Sequence, residues 1–183
     1  MTDLYSAAIA DLSKVFNGFN QAQVDRALDV IAGARRIAFY GCGREGLQLR
    51  GFCMRLFHMG LNVAMVGDMT TPAVGKGDLL IVSSGPGNLN TGNALITVAK
   101  QAGAEILVIT AQLNGPTPKS ADHVVVVPAQ TMANDSGPAV SVLPMGSLFE
   151  GAEFILFEVM VLQLRDKLGV TSDQMRARHT NLE

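Results

Sequence analysis

The sequence predicts an α/β fold, a three-layer sandwich in which helices flank a five-stranded parallel sheet. Five short runs are rich in Val, Ile and Leu and are continuous rather than alternating, as strands buried on both faces require. Segments with helical spacing separate several of these runs, and alternation of strand and helix is typical of a parallel sheet. Ligands of such sheets bind beyond the carboxyl ends of the strands, so the loops there are the candidate functional segments.

Two helices are expected before the sheet and two after it. Apolar residues at helical spacing predict the first over 4–16, and Asn20, with Gln23 as its capping-box partner, predicts a second that runs to Ala32. The predicted strands are 36–40, 62–66, 79–83, 106–110 and 123–127. The other predicted helices are 45–59, 91–102, 145–168 and 172–178.

The length of 183 residues suits a single domain, which we expect to span 1–183. Its N-terminal helices are expected in 1–33, its α/β core in 34–143, and its C-terminal helices and tail in 144–183. The low charge content and nine Met residues also indicate that other copies of the chain cover some apolar surface.

The composition of the chain argues against several classes of protein. Apolar residues make up 48% of the chain, which argues against disorder, and a net charge of -2 with scattered basic residues argues against a nucleic-acid partner. Glu150, Glu153 and Glu158 interrupt the most apolar long stretch, so it predicts a core or interface helix rather than a membrane span. Cys42 and Cys53 form no CxxC zinc motif and no disulfide framework, and no signal-peptide pattern is visible, so we expect a cytoplasmic protein without a structural metal.

The first candidate functional segment is the glycine turn 41–46, Gly-Cys-Gly-Arg-Glu-Gly, after the first predicted strand. Glycines let the backbone turn tightly and let an anion approach the amides, and the helix that follows presents unpaired N–H groups. The turn matches GxGxxG, and Asp68 follows the second strand at the distance of a ribose-binding acid, so a dinucleotide-dependent oxidoreductase stays open as an alternative. A tight strand–helix turn without a ligand is the other alternative.

A second glycine-rich loop, 83–91, follows the third predicted strand and carries hydroxyl groups. Two such loops side by side suit one compact phosphate and a polyhydroxylated body, whereas a dinucleotide fingerprint needs only the first loop. Thr91 is expected to cap the following helix and can bind a ligand as well. The candidate ligand-binding residues of the two loops are Gly43, Arg44, Glu45, Ser84, Gly85, Gly87, Asn90 and Thr91.

The third candidate segment, 143–150, follows the last predicted strand and contains Pro144, which suits a helix start. Glu150 falls in the first turns of that helix, close enough to the strand ends to face a ligand there. A partly buried carboxylate can be tuned toward general-base catalysis. The alternative is a plain N-terminal helix acid that is favoured by the helix dipole.

Four stretches together resemble a known family: 41–46 with 54–60, 77–81, 143–150 and 178–183. In this order, over nearly the whole chain, they resemble sugar isomerase (SIS) domains, which are doubly wound and flavodoxin-like, and most specifically the 6-phospho-3-hexuloisomerases. The resemblance implies a homotetramer, or a homodimer, that needs no metal or nucleotide cofactor and shifts the carbonyl of a hexulose 6-phosphate through an enediolate. It implies Glu150 as the catalytic base and His179, from the same or a neighbouring subunit, as a catalytic group that assists ring opening or proton transfer.

The chain departs from the family pattern at two positions. Glu45 replaces a serine of the first loop, and Pro86 replaces the second serine of the Ser-Gly-Ser-Gly loop, with extra residues before Thr91. Both serines are expected phosphate ligands, and a carboxylate at position 45 repels a phosphate unless it points away or pairs with Arg44 or Arg50. A non-catalytic SIS module that binds a sugar phosphate or a related polar ligand is therefore the main alternative to the isomerase.

Overall fold

The structure, a computed structural model, describes residues 3–182. The helices within that range are α1 (Leu4–Phe16), α2 (Gln21–Gly33), α3 (Gly43–Met59), α4 (Asn90–Gln101), α5 (Pro116–Lys119), α6 (Ser147–Leu168) and α7 (Ser172–Ala177). The strands are β1 (Arg36–Tyr40), β2 (Val63–Met65), β3 (Asp78–Ser83), β4 (Glu105–Thr110) and β5 (His123–Val126).

The strands form one parallel sheet in the order β2-β1-β3-β4-β5, which confirms the predicted fold class. Side chains alternate between its faces: Ile37, Phe39 and Ile81 belong to the larger core under α2, α3 and α6. Ala38 and Leu80 belong to the smaller core under α4. Because both faces are buried, the strands need the continuous apolar runs that the sequence shows.

The pairing of α3 with α6 positions the site, because both helices begin at the carboxyl edge of the sheet. Phe52 of α3 stacks on Phe157 of α6 with ring centroids 4.6 Å apart and planes 4° apart. Phe39 of β1 meets the Phe52 ring nearly edge-on at 5.9 Å. Offset stacking and edge-on contact are the preferred geometries of aromatic pairs. These buried contacts hold α3 against α6, so the N-termini of the two helices lie beside each other.

Two predicted helix caps differ from the structure. The Asn20 side chain makes no cap hydrogen bond, so the predicted capping box is wrong; Gln23 instead accepts a hydrogen bond from the Val126 amide at 3.0 Å. Thr91 lies inside the first turn of α4, whose N-cap is Leu89, so the predicted Thr91 cap is also wrong.

The last long helix begins at Ser147 rather than at the predicted Met145. Met145 and Gly146 have φ angles of 54° and 84°, in the left-handed region that an α-helix cannot contain. This local backbone turns the chain into the helix from the edge of the sheet. Across residues 3–182, no helix is both long enough and apolar enough to span a membrane.

Candidate active site

Three chain segments meet at the carboxyl edge of the sheet: the glycine turn after β1, the loop after β3, and the start of α6. The Gly85 amide donates a hydrogen bond to Glu45 Oε2 at 2.9 Å, which joins the first two segments. A Cβ atom on Gly85 would lie 3.0 Å from the Phe149 ring, so α6 packs closely against the second loop. The three segments singled out from the sequence are therefore assembled into one site.

Local packing explains several glycines of the two loops. A Cβ atom on Gly46 would lie 2.5 Å from the carbonyl oxygen of Gly41, so no larger residue fits there. Gly43 has a φ of 56°, which favours glycine. In the second loop, Gly87 has a φ of 75°, and a Cβ there would lie 2.7 Å from Gln112 O, so the packing of this loop also requires glycine at this position.

Arg44 connects the glycine turn to the start of α6. Its Nη1 donates to Ser147 Oγ and its Nη2 to the Met145 carbonyl, both at 2.7 Å. Its Nε lies 2.9 Å from Glu150 Oε2. A guanidinium with three fixed partners holds the carboxylate in one orientation.

Glu150 lies in the first turn of α6, with 14% of its side chain exposed. Burial raises the pKa of its carboxyl group, Arg44 lowers it and Glu45 raises it, with a net upward shift. A base whose pKa moves toward neutrality transfers protons more efficiently at neutral pH.

Glu45 points across the site toward the second loop. Its Oε2 accepts hydrogen bonds from Ser83 Oγ at 2.6 Å and from the Gly85 amide at 2.9 Å. The two arginines expected as its possible partners bind elsewhere: Arg44 pairs with Glu150, and Arg50 lies 3.5 Å from Asp68.

Glu153 is a site residue that the sequence pattern marks only as a charge inside an apolar helix. Its side chain is fully buried, and its Oε1 lies 2.6 Å from Ser83 Oγ. Burial first, and then the charges of Glu45 and Glu150, raise its pKa well above the ordinary value of 4.5. Its spacing from Glu150 could have identified Glu153 in the sequence, because residues three apart on a helix share a face and Glu150 was already a candidate.

Glu45 and Glu150 line the same cavity, together with Pro86, Thr131 and Phe149. Its volume of about 50 Å³ is far below the roughly 300–1,000 Å³ of typical small-molecule sites. The exposed side chains of Met132 and Met145 border the cavity. In this conformation the cavity is therefore too small for a ligand of that size.

The remaining candidate ligand residues lie near α4. Ser84 is buried, and its Oγ has no hydrogen-bond partner within residues 3–182. Asn90 and Thr91 are exposed in the first turn of α4, where backbone N–H groups lack helical partners. Thr91 lies beside the Tyr40 hydroxyl, which contacts Cys42 Sγ at 3.3 Å. Thr91, Tyr40 and Cys42 thus border both glycine-rich loops.

His179 lies away from the other site residues of its own chain. Its ring stacks on that of His58, with centroids 5.1 Å apart, beside a surface pocket of about 230 Å³ that Arg55 and Arg176 also line. His58 is near the C-terminal end of α3, about 22 Å along the helix from Gly43 at 1.5 Å per residue. Within one chain, His179 and Glu150 are therefore at opposite ends of α3.

Within residues 3–182, no three or more Cys, His, Asp and Glu side chains form a group that could hold a metal ion. The site as described consists of carboxyl, hydroxyl, guanidinium and amide groups, which suits proton transfer and anion binding.

Comparison with known proteins agrees with the resemblance. The sequence pattern of the SIS domain matches residues 30–151. The 3-hexulose-6-phosphate isomerase of Methylomonas aminofaciens is 36% identical over 183 residues, which is 100% of both chains. The one from Mycobacterium gastri is 41% identical over 148 residues, 81% of this chain and 74% of its own.

A crystal structure from Methanococcus jannaschii, with an inferred function of 3-hexulose-6-phosphate isomerase, superposes with a TM-score of 0.83 at 29% identity. The superposition covers 99% of this chain and 98% of the other. The match in sequence thus extends to the whole fold, and the chain belongs to the SIS domain family.

Proposed function

We propose that the chain is a phosphosugar isomerase of the 6-phospho-3-hexuloisomerase type, which interconverts 3-keto and 2-keto hexulose 6-phosphates. The observation that carries the proposal is the Glu150 carboxylate, held by Arg44 at the carboxyl edge of the sheet in a partly buried cavity. A relative that carries the name of this isomerase aligns over the full length of the chain and supports the proposal.

Glu150 is the proposed base on carbon. It removes the proton from the carbon next to the carbonyl group, an enediolate forms, and the proton returns to the neighbouring carbon. Arg44 orients Glu150 and places a positive charge close to the oxygens on which negative charge develops. Closure of the cavity excludes water, which strengthens both effects.

The substrate phosphate is proposed to bind at the first turn of α4. Unpaired helix N–H groups and the Thr91 and Asn90 side chains favour an anion there. The Ser84 hydroxyl, which has no hydrogen-bond partner among the described residues 3–182, belongs to the loop that leads into α4. The Gly85 amide is already occupied by Glu45, and Pro86 has no amide hydrogen, so the loop itself offers fewer donors than the family pattern implies.

The test is turnover of hexulose 6-phosphate by the wild type and by Glu150→Gln. We expect the variant to lose about 100-fold or more in kcat, while a sugar phosphate still raises its melting temperature. Glu105→Gln, at the opposite end of the sheet and exposed, is the matched control and should retain wild-type kcat. Wild-type activity in Glu150→Gln contradicts the assignment of the base.

One observation favours a second candidate, a SIS module that binds a sugar phosphate without converting it. Glu45 places a carboxylate where the family pattern has a serine, and it consumes the Gly85 amide. This candidate predicts stabilisation by sugar phosphates but not by the unphosphorylated sugars, with no turnover of any hexulose or pentulose phosphate.

The proposed assembly is a homotetramer in the cytoplasm. Large apolar side chains are exposed on two neighbouring helices, Leu47, Met54 and Phe57 on α3 and Phe154 and Leu162 on α6. A second copy packed on this face would bury them and bring the His179 of that copy toward the site.

Light scattering measures the mass of the assembly in solution. Phe154→Glu should yield smaller species than the wild type, and a monomeric wild type contradicts the assembly. The free thiols of Cys42 and Cys53 suit a reducing compartment.

A further inference from the structure

The hydroxyl group of Ser83 lies between two carboxyl groups. Ser83 Oγ is 2.6 Å from Glu45 Oε2 on one side and 2.6 Å from Glu153 Oε1 on the other. Both distances are those of strong O–H···O hydrogen bonds, and each such bond needs a hydrogen between the oxygens. The serine hydroxyl has only one hydrogen to donate, so one of the two carboxyl groups supplies the second.

The environment identifies Glu153 as the protonated group. It is fully buried, and its Oε2 has no hydrogen-bond partner within residues 3–182, which an ionised carboxylate would tolerate poorly. Glu45 is less buried: burial raises its pKa as well, but hydrogen bonds from Ser83 and from the Gly85 amide lower it, so its ionised form is better stabilised than that of Glu153. The charges next to Glu153 are Glu45 on α3 and Glu150 one turn earlier on α6, and Arg44 of α3 is paired with Glu150. Burial and these negative charges keep the pKa of Glu153 well above 4.5.

We propose that Glu153, Ser83 and Glu45 form a proton relay, in which Glu45 exchanges the relay proton with the substrate oxygens while Glu150 acts on carbon. The proposal rests on the proposed isomerase function. It makes Glu45 a second catalytic acid–base group and Glu153 and Ser83 positioning residues that control its protonation.

The reaction needs such a group because the carbonyl shift moves two kinds of proton. One proton leaves one carbon and arrives at its neighbour, which is the task of Glu150. A second proton must reach the original carbonyl oxygen and leave the adjacent hydroxyl. Glu45 lines the same cavity as Glu150. Its hydrogen bond with Ser83 also connects it to the interior of the protein.

The proposed proton transfers form a cycle that begins and ends with the proton on Glu153. Glu153 gives its proton to Ser83 Oγ as Ser83 gives its own to Glu45, which leaves Glu153 ionised. Glu150 takes the proton from C2 as Glu45 protonates the C3 oxygen, which converts the developing enediolate into the enediol. Glu45 then takes the proton of the C2 hydroxyl as Glu150 returns its proton to C3. The proton passes back through Ser83 to Glu153, and the C2 ketone is the product.

The test uses the full chain with Glu153→Gln and Ser83→Ala. A glutamine amide still donates a hydrogen bond to Ser83, so the contact is kept while the acid is lost. We expect kcat of Glu153→Gln and of Ser83→Ala to fall about 100-fold, within the usual range for a general acid–base group, with KM changed less than about twofold. Glu105→Gln again serves as the matched control at an exposed position.

Infrared spectroscopy gives a readout that does not depend on activity. At neutral pH, the wild type should show the carbonyl-stretch band of a protonated carboxylic acid, and Glu153→Gln should lack it. Absence of this band from the wild type overturns the relay, and so does wild-type kcat in Glu153→Gln. If the wild type converts no sugar phosphate but shows the band, and Glu153→Gln lacks it, the isomerase proposal fails while the shared proton stands.

Discussion

Arg44 Nε and Glu150 Oε2 are 2.9 Å apart, although the two residues belong to different helices and are separated by more than a hundred positions. The ion pair connects the glycine turn to the start of α6, and it opposes the effect of burial on the pKa of the proposed base. The arginine lowers the pKa of Glu150, in opposition to burial and to Glu45, which raise it.

The first prediction concerns this ion pair. Arg44→Ala removes the contribution that lowers the pKa of Glu150, so that pKa rises further. Because a base must be deprotonated to act, the acidic limb of the kcat/KM profile should move to higher pH, and kcat at neutral pH should fall. Profiles of Arg44→Ala and of Arg50→Ala, whose arginine pairs with Asp68, provide the comparison. An acidic limb that does not move in Arg44→Ala contradicts the role of Arg44.

The second prediction concerns the pH dependence of stability. The folded-state pKa of Glu153 is raised above 4.5, so between 4.5 and that higher value the folded protein binds more protons than the unfolded chain. Stability should therefore fall as the pH rises through this window, by at most about 1.4 kcal/mol per pH unit from this group.

Glu153→Gln removes the titrating group, so its melting temperature relative to the wild type should increase as the pH is raised from 4.5. Glu153→Leu, which also lacks the carboxyl group, should show the same trend. Melting curves over a pH series measure the difference, and curves for wild type and variants that stay parallel would show that Glu153 is ionised when folded.

The third prediction concerns the aromatic contact between the helices that form the site. Phe52 is 2% exposed and contacts both Phe157 and Phe39. Phe52→Ala should lower the free energy of unfolding by about 3–5 kcal/mol in urea titrations. Met69→Ala, at a side chain that is 99% exposed, should change it by less than about 0.5 kcal/mol. Equal effects of the two substitutions would contradict the packing argument.

The fourth prediction concerns His179. Because it lies at the opposite end of α3 from the glycine turn, it can serve Glu150 only in another copy of the chain. We expect His179→Ala and Glu150→Gln to be impaired separately, and mixed oligomers formed by co-expression to be more active than either parent. If mixing restores nothing, a shared site between subunits is ruled out.

The sheet was predictable because its central strands are buried on both faces and show this as local apolar runs. The start of α6 was misplaced because the left-handed backbone of Met145 is not visible in residue type. Gln23 has the spacing of a capping box, yet it binds Val126, because a tertiary partner across the molecule replaces the local one. Local rules fail where a distant segment offers the better hydrogen bond.

The sequence by itself determined the strands and the glycine turns, because these depend on residue type and short-range periodicity, and its resemblance to a known family made Glu150 the candidate base. Only the tertiary structure decided that Glu45 turns toward Ser83, that Arg44 binds Glu150, and that His179 lies far from both within its own chain. The physical reason is that the pKa and the partner of a carboxyl group depend on burial and on neighbours from remote segments. Glu153 illustrates it: a glutamate in an apolar helix becomes part of the carboxyl cluster only because the packing of α6 places it against Ser83 at the end of β3.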